Sequence, residues 1–306
     1  MTGGNGTSRP DDAGRTVEGM DHRAETRDFL TTRRARITPE QAGLPSYGTS
    51  RRVPGLRREE AAMLAGVSVD YYTRLERGNL GGVSDNVLEA LARALQLDEA
   101  ERAHLFDLVR ATLTRTPRRR PTQERVRPGV QQILDSITAP AYVRNERLDI
   151  LAANRLGEAL YSPVFDLSSR PINSARFLFL SPKASEFFVD WDTIAHDGVA
   201  ILRAAAGRDP YDKRLTDLIG ELSTRSDEFR VRWAAHNVRF HRTGTKHIHH
   251  PVVGELDLSY ETMELSADDG LSVAIFTAEP GSASQQALDL LGSWTATPSA
   301  AANANG

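Results

Sequence analysis

The sequence predicts two structural domains: an all-α N-terminal domain of five helices and an α+β C-terminal domain with a five-stranded antiparallel sheet. Three observations predict this division. Apolar residues recur at helical spacing through the first third of the 306-residue chain. A basic segment with two prolines interrupts that periodicity at residues 114–121. Beyond it, short apolar or alternating segments predict strands interspersed with helices.

The domain boundaries follow from these changes along the chain. We expect the helical domain over residues 23–113, a basic Pro-rich linker over 114–128 and the second domain over 129–292. Residues 1–22 and 293–306 are rich in small and polar residues and show no apolar periodicity. These two ends are therefore expected to be a disordered N-terminus and a disordered tail.

In the first domain, helical periodicity predicts helix one over residues 25–36, helix four over 87–95 after an N-cap at Ser84, and helix five over 99–112. Residues 37–54 contain three prolines and are expected to form a loop. Helices two and three must therefore lie between this loop and helix four.

Residues 55–78, GLRREEAAMLAGVSVDYYTRLERG, predict two short helices joined by a tight turn. Gly66 is suited to ending the first helix, because glycine tolerates left-handed backbone angles. Ser68 is a good N-cap for the second helix, and Gly78 a good C-terminal stop. This geometry is the one that places a second helix in the major groove of DNA.

Outward residues of the second helix are candidates for base contacts, and nearby arginines for phosphate contacts. For Arg51 and Arg52 a solvated basic loop is an equally good interpretation. The helical spacing also turns Tyr72 toward the core, with Leu75. Neither Val69 nor Asp70 forms the common arginine–guanine pair, so the operator sequence does not follow. The predicted DNA-contacting set is Arg51, Arg52, Arg57, Arg58, Ser68, Val69, Asp70, Tyr72, Thr73, Arg74 and Arg77.

The joint pattern of small Ala62, a Gly66 turn, a capped second helix and a Leu-Glu-Arg-Gly ending closely resembles the Cro/C1-type (XRE) helix-turn-helix family. The resemblance covers about residues 25–108. It implies a five-helix DNA-binding domain. The long loop after helix one departs from the tight connection usual in that family.

In the second domain, strands and helices are predicted to form a sheet with helices on one side. The strands are expected over residues 141–144, 148–153, 246–250, 254–263 and 271–277. The helices are expected over residues 130–137, 154–161, 192–206, 212–223, 226–236 and 284–291.

Aromatic residues in this domain are candidates for the lining of an apolar pocket, with a histidine and a tyrosine as polar groups. For any one of them, a place in the core is the simpler interpretation. The candidate ligand-binding residues are Tyr142, Phe177, Phe179, Phe188, Trp191, Trp233, His236 and Tyr260.

Four histidines cluster near the third strand: His241, His247, His249 and His250. A strand puts only His247 and His249 on one face, and a stable zinc site needs three or four ligands. We therefore predict no metal and no cofactor. The chain also lacks the Gly-x-Ser-x-Gly, Walker and dinucleotide-binding motifs, so it is not expected to be an enzyme.

Several motifs extend the resemblance to the actinobacterial MmyB-like transcription regulators, over about residues 25–292. They include Val-Asp-Trp at 189–191, Gly-Thr-Lys at 244–246 and His-His-Pro-Val-Val-Gly-Glu-Leu at 249–256. This resemblance implies a PAS-like C-terminal domain that binds a small, largely apolar, fatty-acid-like molecule.

Composition limits the other possibilities. The net charge of −3 and pI of about 6.3 exclude general polyanion binding, and the absence of cysteine excludes disulfides and thiol redox sensing. No apolar run is long enough for a membrane span, and residues 1–19 do not form a signal peptide. We therefore expect a cytoplasmic protein.

We further expect a homodimer, and a two-fold protein implies a palindromic double-stranded operator. The alternative to a ligand-binding C-terminal domain is one that serves only for dimerisation or protein interaction, without a ligand.

Overall fold

The computed structural model describes residues 22–44, 53–113, 125–235 and 243–296. The predicted DNA contacts Arg51 and Arg52, the candidate pocket residue His236 and the clustered His241 lie outside these described residues. So do most of the segments expected to form the disordered N-terminus, the linker and the tail.

The N-terminal domain consists of five helices, as predicted. They are α1 (His22–Arg36), α2 (Arg58–Leu64), α3 (Val69–Glu76), α4 (Asp85–Ala94) and α5 (Glu99–Leu113). Phe29, Leu56, Ala62, Leu75 and Leu105 are among the fully buried residues that form one core between these helices. The helical periodicity of the sequence therefore determines this domain.

The two glycines of the helix-turn-helix differ in their surroundings. Both have positive φ angles, +65° at Gly66 and +83° at Gly78, which residues with a Cβ rarely adopt. A Cβ at Gly66 would have no heavy atom within 4 Å. A Cβ at Gly78 would lie 2.5 Å from the carbonyl oxygen of Arg23 on α1. Gly78 thus allows α3 to end directly against α1.

Replacing Gly78 with alanine is expected to lower the free energy of unfolding by about 3 kcal/mol, through backbone strain and the steric conflict with Arg23. Gly66→Ala is the matched control and is expected to cost about 1 kcal/mol, from the backbone angle alone. Urea unfolding of the full chain measures both. Equal losses at the two positions would contradict this account of the α1–α3 contact.

The C-terminal domain combines five strands with nine described helices. The strands are β1 (Ala141–Asn145), β2 (Ile150–Ala153), β3 (Thr243–His250), β4 (Gly254–Glu264) and β5 (Leu271–Thr277). The helices are α6 (Pro128–Ser136), α7 (Arg155–Leu160), α8 (Ser162–Phe165), α9 (Ser174–Leu180), α10 (Ala184–Phe187), α11 (Trp191–Arg208), α12 (Lys213–Arg225), α13 (Asp227–Ala234) and α14 (Ala283–Ala296). Helix α14 therefore continues into residues that the sequence assigns to the tail.

The five strands form one antiparallel sheet in the order β2-β1-β5-β4-β3, which confirms the predicted fold class. The prediction that all helices lie on one side of it is wrong. Val130 and Leu134 of α6 pack against Val143 and Val273 on the opposite face. The central strands β1 and β5 carry apolar side chains on both faces, so both faces must be covered.

Helix α11 lies between the two domains. Its Val199 and Leu202 pack with α12 in the C-terminal domain, whereas its Ala204 belongs to the core of the N-terminal domain. Small residues allow this close approach: a Cβ at Gly207 would lie 2.6 Å from the ring of His104 on α5. A single helix is thus packed into both halves of the protein.

Candidate nucleic-acid interface and ligand cavity

The second helix of the helix-turn-helix has the predicted cap and the predicted exposed face. The Ser68 hydroxyl accepts a hydrogen bond from the backbone N–H of Tyr71, at 3.2 Å. Val69, Asp70 and Arg74 are exposed and Thr73 is partly exposed. This face of α3 is therefore free of the protein core and has the geometry of a helix that enters a groove.

Arg74 is partly ordered by its own helix. Its guanidinium lies over the ring of Tyr71, with 4.9 Å between the guanidinium carbon and the ring centroid. Such a cation–π contact reduces the number of conformations of an exposed arginine. The side chain remains on the surface, where it is available to a base edge or a phosphate.

A buried carboxylate organises the helices behind this face. Glu76 is buried, and its carboxylate accepts hydrogen bonds from Arg34 of α1, at 2.6 Å, and from Arg58 at the start of α2. Arg34 also donates to the backbone carbonyl of Leu56, at 2.7 Å. Glu76 thus joins α1, α2 and α3. The sequence marks it only as part of the ending of α3, because its partners lie far away in the chain.

Arg58 contacts both the protein interior and the solvent. Its guanidinium is hydrogen-bonded to Glu76, yet 51% of its side chain is exposed. Glu76 raises the pKa of the Arg58 guanidinium above its usual value, chiefly through that hydrogen bond. A cation held in place in this way is suited to a phosphate contact. Arg57 and Arg77 are also exposed.

Tyr72 is a correction among the predicted DNA-contacting residues. Its side chain is fully buried in the N-terminal core, so it has no surface to offer to DNA. The helical spacing that places Val69 and Arg74 outward places Tyr72 inward. Burial raises the pKa of its phenol well above the usual range.

The inner face of the C-terminal sheet borders a partly open, largely apolar space, which we call the apolar cavity. It has a volume of about 70 Å³. Three of the predicted ligand-binding residues, Tyr142, Phe188 and Tyr260, line it, together with Tyr161 and Phe276. Aromatic rings thus form much of its wall, as expected of a site for an apolar molecule.

The remaining aromatic candidates within the described residues do not line this cavity. Phe177 is fully buried beside Phe188, and supports that ring from behind. Phe179 packs against Trp191, whose indole N–H donates to a backbone carbonyl at 3.0 Å. Trp233 stacks on a neighbouring phenylalanine of α13, near the domain interface. These four residues are packing residues, which composition alone does not distinguish from pocket residues.

Two cations at the cavity were not predicted from the sequence. Lys246 of β3 points among the rings of Tyr161, Phe188, Tyr260 and Phe276, with its ammonium 5.0–6.0 Å from their centroids. It donates a hydrogen bond to the Tyr161 hydroxyl at 3.3 Å. Burial, and then the nearby Arg144, lower the pKa of Lys246 from 10.5 to about 7, partly opposed by Asp197.

Arg144 of β1 is the second missed cation. It is half-buried and lines the apolar cavity. No hydrogen bond or ion pair joins its guanidinium to any residue within the described ranges. The alternation of the Gly-Thr-Lys and Tyr-Val-Arg segments places both cations on the inner face. Only the strand order, however, brings β1 and β3 to the same cavity.

A buried ion pair joins the two domains beside the cavity. Arg203 of α11 is fully buried and binds the carboxylate of Glu25 on α1. Its guanidinium also donates to the backbone carbonyl of Trp233. The guanidinium carbon lies 4.1 Å from the centroid of the Trp233 ring. Upstream on the same helix, Ile194 and Ile201 line the apolar cavity. Helix α11 therefore contacts both the cavity and the DNA-binding domain.

The three described histidines of the cluster, His247, His249 and His250, do not share one face of the sheet. Register places His247 and His249 on the outer face of the sheet, opposite Asp257 and Glu255. One ring nitrogen of His247 is hydrogen-bonded to Asp190, and His250 is turned inward. Among the residues the structure describes, no group of three or more suitable side chains could hold a metal ion. In the same part of the chain, no helix is long and apolar enough to cross a membrane.

The fold and these sites define a helix-turn-helix protein whose DNA-binding domain is packed against a second, cavity-containing domain. Comparison with family models agrees. Residues 27–105 match a helix-turn-helix domain, and residues 126–291 match the ligand-binding domain of MmyB-like transcription regulators. The chain belongs to the family of MmyB-like transcription regulators. A search of curated proteins found no relative that matches it.

Proposed function

We propose that this regulator recognises an operator with the exposed face of α3 and is controlled by an amphiphilic molecule in the apolar cavity. The observation that carries the ligand proposal is Lys246, a cation without an ion-pair partner in the described structure, set among aromatic rings. A largely apolar ligand with a negatively charged group would bury its chain against the rings. Its anion would compensate the desolvated ammonium. A fatty-acid-like molecule has this chemistry.

Helix α11 supplies a physical route from ligand to DNA. Closely packed helices respond to a displaced neighbour by shifting as units. A ligand that displaces Ile194 or Ile201 would therefore act on the Arg203–Glu25 contact with α1. The DNA-binding domain would change orientation if the ligand favours one arrangement of α11 over the other. We further propose that the protein is a cytoplasmic homodimer on a palindromic operator, as the symmetry of such regulators implies.

The DNA proposal predicts the effects of two substitutions on α3. Arg74→Ala and Thr73→Ala are each expected to weaken binding to the operator about tenfold, because each removes an outward contact from the groove-facing surface. The operator is obtained by selecting duplexes from a random library with the purified protein, and affinity is measured by fluorescence anisotropy.

Arg225→Ala serves as the control, since Arg225 lies on α12 in the C-terminal domain and pairs with Glu221. It is expected to leave operator affinity unchanged. If both α3 variants fold and keep their operator affinity and specificity, α3 is not part of the DNA interface. Footprinting on the selected duplex tests the two-fold symmetry of the site, and light scattering tests the dimer.

The ligand proposal is tested by thermal shift and calorimetry with sodium hexanoate, octanoate and dodecanoate. We expect at least one of these chain lengths to stabilise the protein, and Lys246→Met to reduce this stabilisation strongly. Absence of stabilisation by all three would favour the alternative, in which the C-terminal domain serves dimerisation or protein interaction without a ligand.

A further inference from the structure

A second and larger cavity lies beside the apolar one, and we call it the polar cavity. Its volume is about 200 Å³. Charged and hydroxyl side chains form much of its wall, including Glu146, Arg208, Glu264, Asp269 and Ser272. The Arg208 guanidinium is paired with Glu146 at 2.7 Å. These hydrogen-bonding side chains come from several elements, including α11, β4 and β5.

The two cavities adjoin each other. Arg144, Ile201 and Thr262 line both of them. Arg144 is thus at the junction, half-buried, and without a hydrogen bond or ion pair to any described residue. A partly desolvated guanidinium in such a position favours an anion or a carbonyl oxygen supplied by a ligand.

The sizes of the two cavities limit the ligand. The polar cavity, at about 200 Å³, is nearly three times as large as the apolar cavity, at about 70 Å³. A carboxylate has only three heavy atoms. A simple fatty acid would therefore leave most of the polar cavity without a ligand group.

We propose that the effector is an acyl conjugate, in which a short acyl chain is joined through its carbonyl to a polar head that carries a carboxylate and further hydrogen-bonding groups. The chain lies among the aromatic rings of the apolar cavity, and the carbonyl and the carboxylate lie near Lys246 and Arg144. The rest of the head occupies the polar cavity. This inference rests on the proposed function, because it requires the apolar cavity to be a ligand site.

The experiment compares sodium octanoate with N-octanoylserine by calorimetry on the full-length protein. The conjugate adds an amide and a hydroxyl to the same chain and keeps a carboxylate for the two cations. We expect it to bind about tenfold more tightly than octanoate, the gain from one or two additional net hydrogen bonds.

Filling the polar cavity is expected to remove this advantage. Ser272 of β5 lines the polar cavity but not the apolar one. Ser272→Phe is therefore expected to bring the two affinities to within about twofold, while octanoate still binds. Ser259→Phe, on β4, places the same ring on an exposed position of the opposite sheet face and is the matched control. Should Ser272→Phe fail to fold, Ser266→Trp at the exposed rim replaces it.

The outcomes separate the two proposals. Equal binding of octanoate and N-octanoylserine by the wild-type protein would overturn the acyl-conjugate inference and leave the apolar ligand site intact. A tenfold advantage that survives in the folded cavity-filling variant would also overturn it, because the head would then lie elsewhere. Failure of both compounds to bind would contradict the ligand site itself.

Discussion

Replacing Arg203 with alanine is expected to lower the free energy of unfolding by about 3–5 kcal/mol, the usual cost of removing one partner of a buried ion pair. The substitution takes from Glu25 a cation that binds it at the domain interface and removes the stack on Trp233. Urea unfolding of the full chain measures the change.

Two companion variants make this prediction specific. Arg176→Ala removes a partly exposed arginine paired with Glu221 at 2.9 Å, and is expected to cost less than about 1 kcal/mol. The double variant Glu25→Leu/Arg203→Met replaces both charges with apolar groups and is expected to recover most of the loss. A small loss in Arg203→Ala, comparable to that in Arg176→Ala, would show that the interface does not depend on this pair.

The same double variant tests communication between the domains. Allosteric coupling of ordinary strength changes affinity by a factor on the order of 10. If α11 acts through Arg203, the ratio of the operator affinities measured with and without a bound fatty acid should fall toward one in the double variant. Ligand binding itself should persist. Wild-type coupling in a folded double variant would exclude the Arg203–Glu25 contact from the route.

The second large effect is expected from Lys246→Met. The Lys246 ammonium titrates near pH 7 in the folded protein but at 10.5 when it is fully hydrated. Folding therefore disfavours the charged form. The resulting destabilisation is fully present below pH 7 and is relieved as the pH rises toward 10.5. Methionine removes it, and is expected to stabilise the protein at pH 6 by on the order of 3 kcal/mol.

The same substitution is expected to weaken ligand binding, although it stabilises the protein. Octanoate is an anion, so its affinity for the wild-type protein should fall as the pH rises above 7 and Lys246 loses its proton. Lys246→Met should bind octanoate weakly and without this pH dependence. Lys213→Met, at an exposed lysine on α12, is the control and should alter neither stability nor binding. Retention of the pH-dependent binding in Lys246→Met would contradict the role of this ammonium.

Much of the fold followed from local patterns. The helix-turn-helix was predicted because each of its signals acts within a few residues: the cap at Ser68, the left-handed turn at Gly66 and the stop at Gly78. The five strands were predicted from alternation and turns in the same way. Local hydrogen bonding and backbone sterics determine these features, so they are visible in a single stretch of sequence.

The site was predicted less completely, because its residues meet only after distant elements pack. Tyr142, Phe188 and Tyr260 were found among the cavity residues, whereas Phe177, Phe179, Trp191 and Trp233 proved to be packing residues. The residue type is the same whether an aromatic side chain lines a pocket or fills the core, so the sequence does not distinguish the two places. Arg144 and Lys246 were missed because an isolated charge in a strand is ordinarily a solvated one.

The sequence by itself determined a DNA-binding helix-turn-helix followed by a five-stranded α+β domain, since periodicity and caps are properties of neighbouring residues. Only the tertiary structure decided which side chains share an environment. It buried Tyr72, bound Glu76 to two distant arginines, covered the second sheet face with α6 and placed α11 between the cavity and α1. These outcomes depend on burial and charge pairing between segments far apart in the chain, which no local pattern encodes.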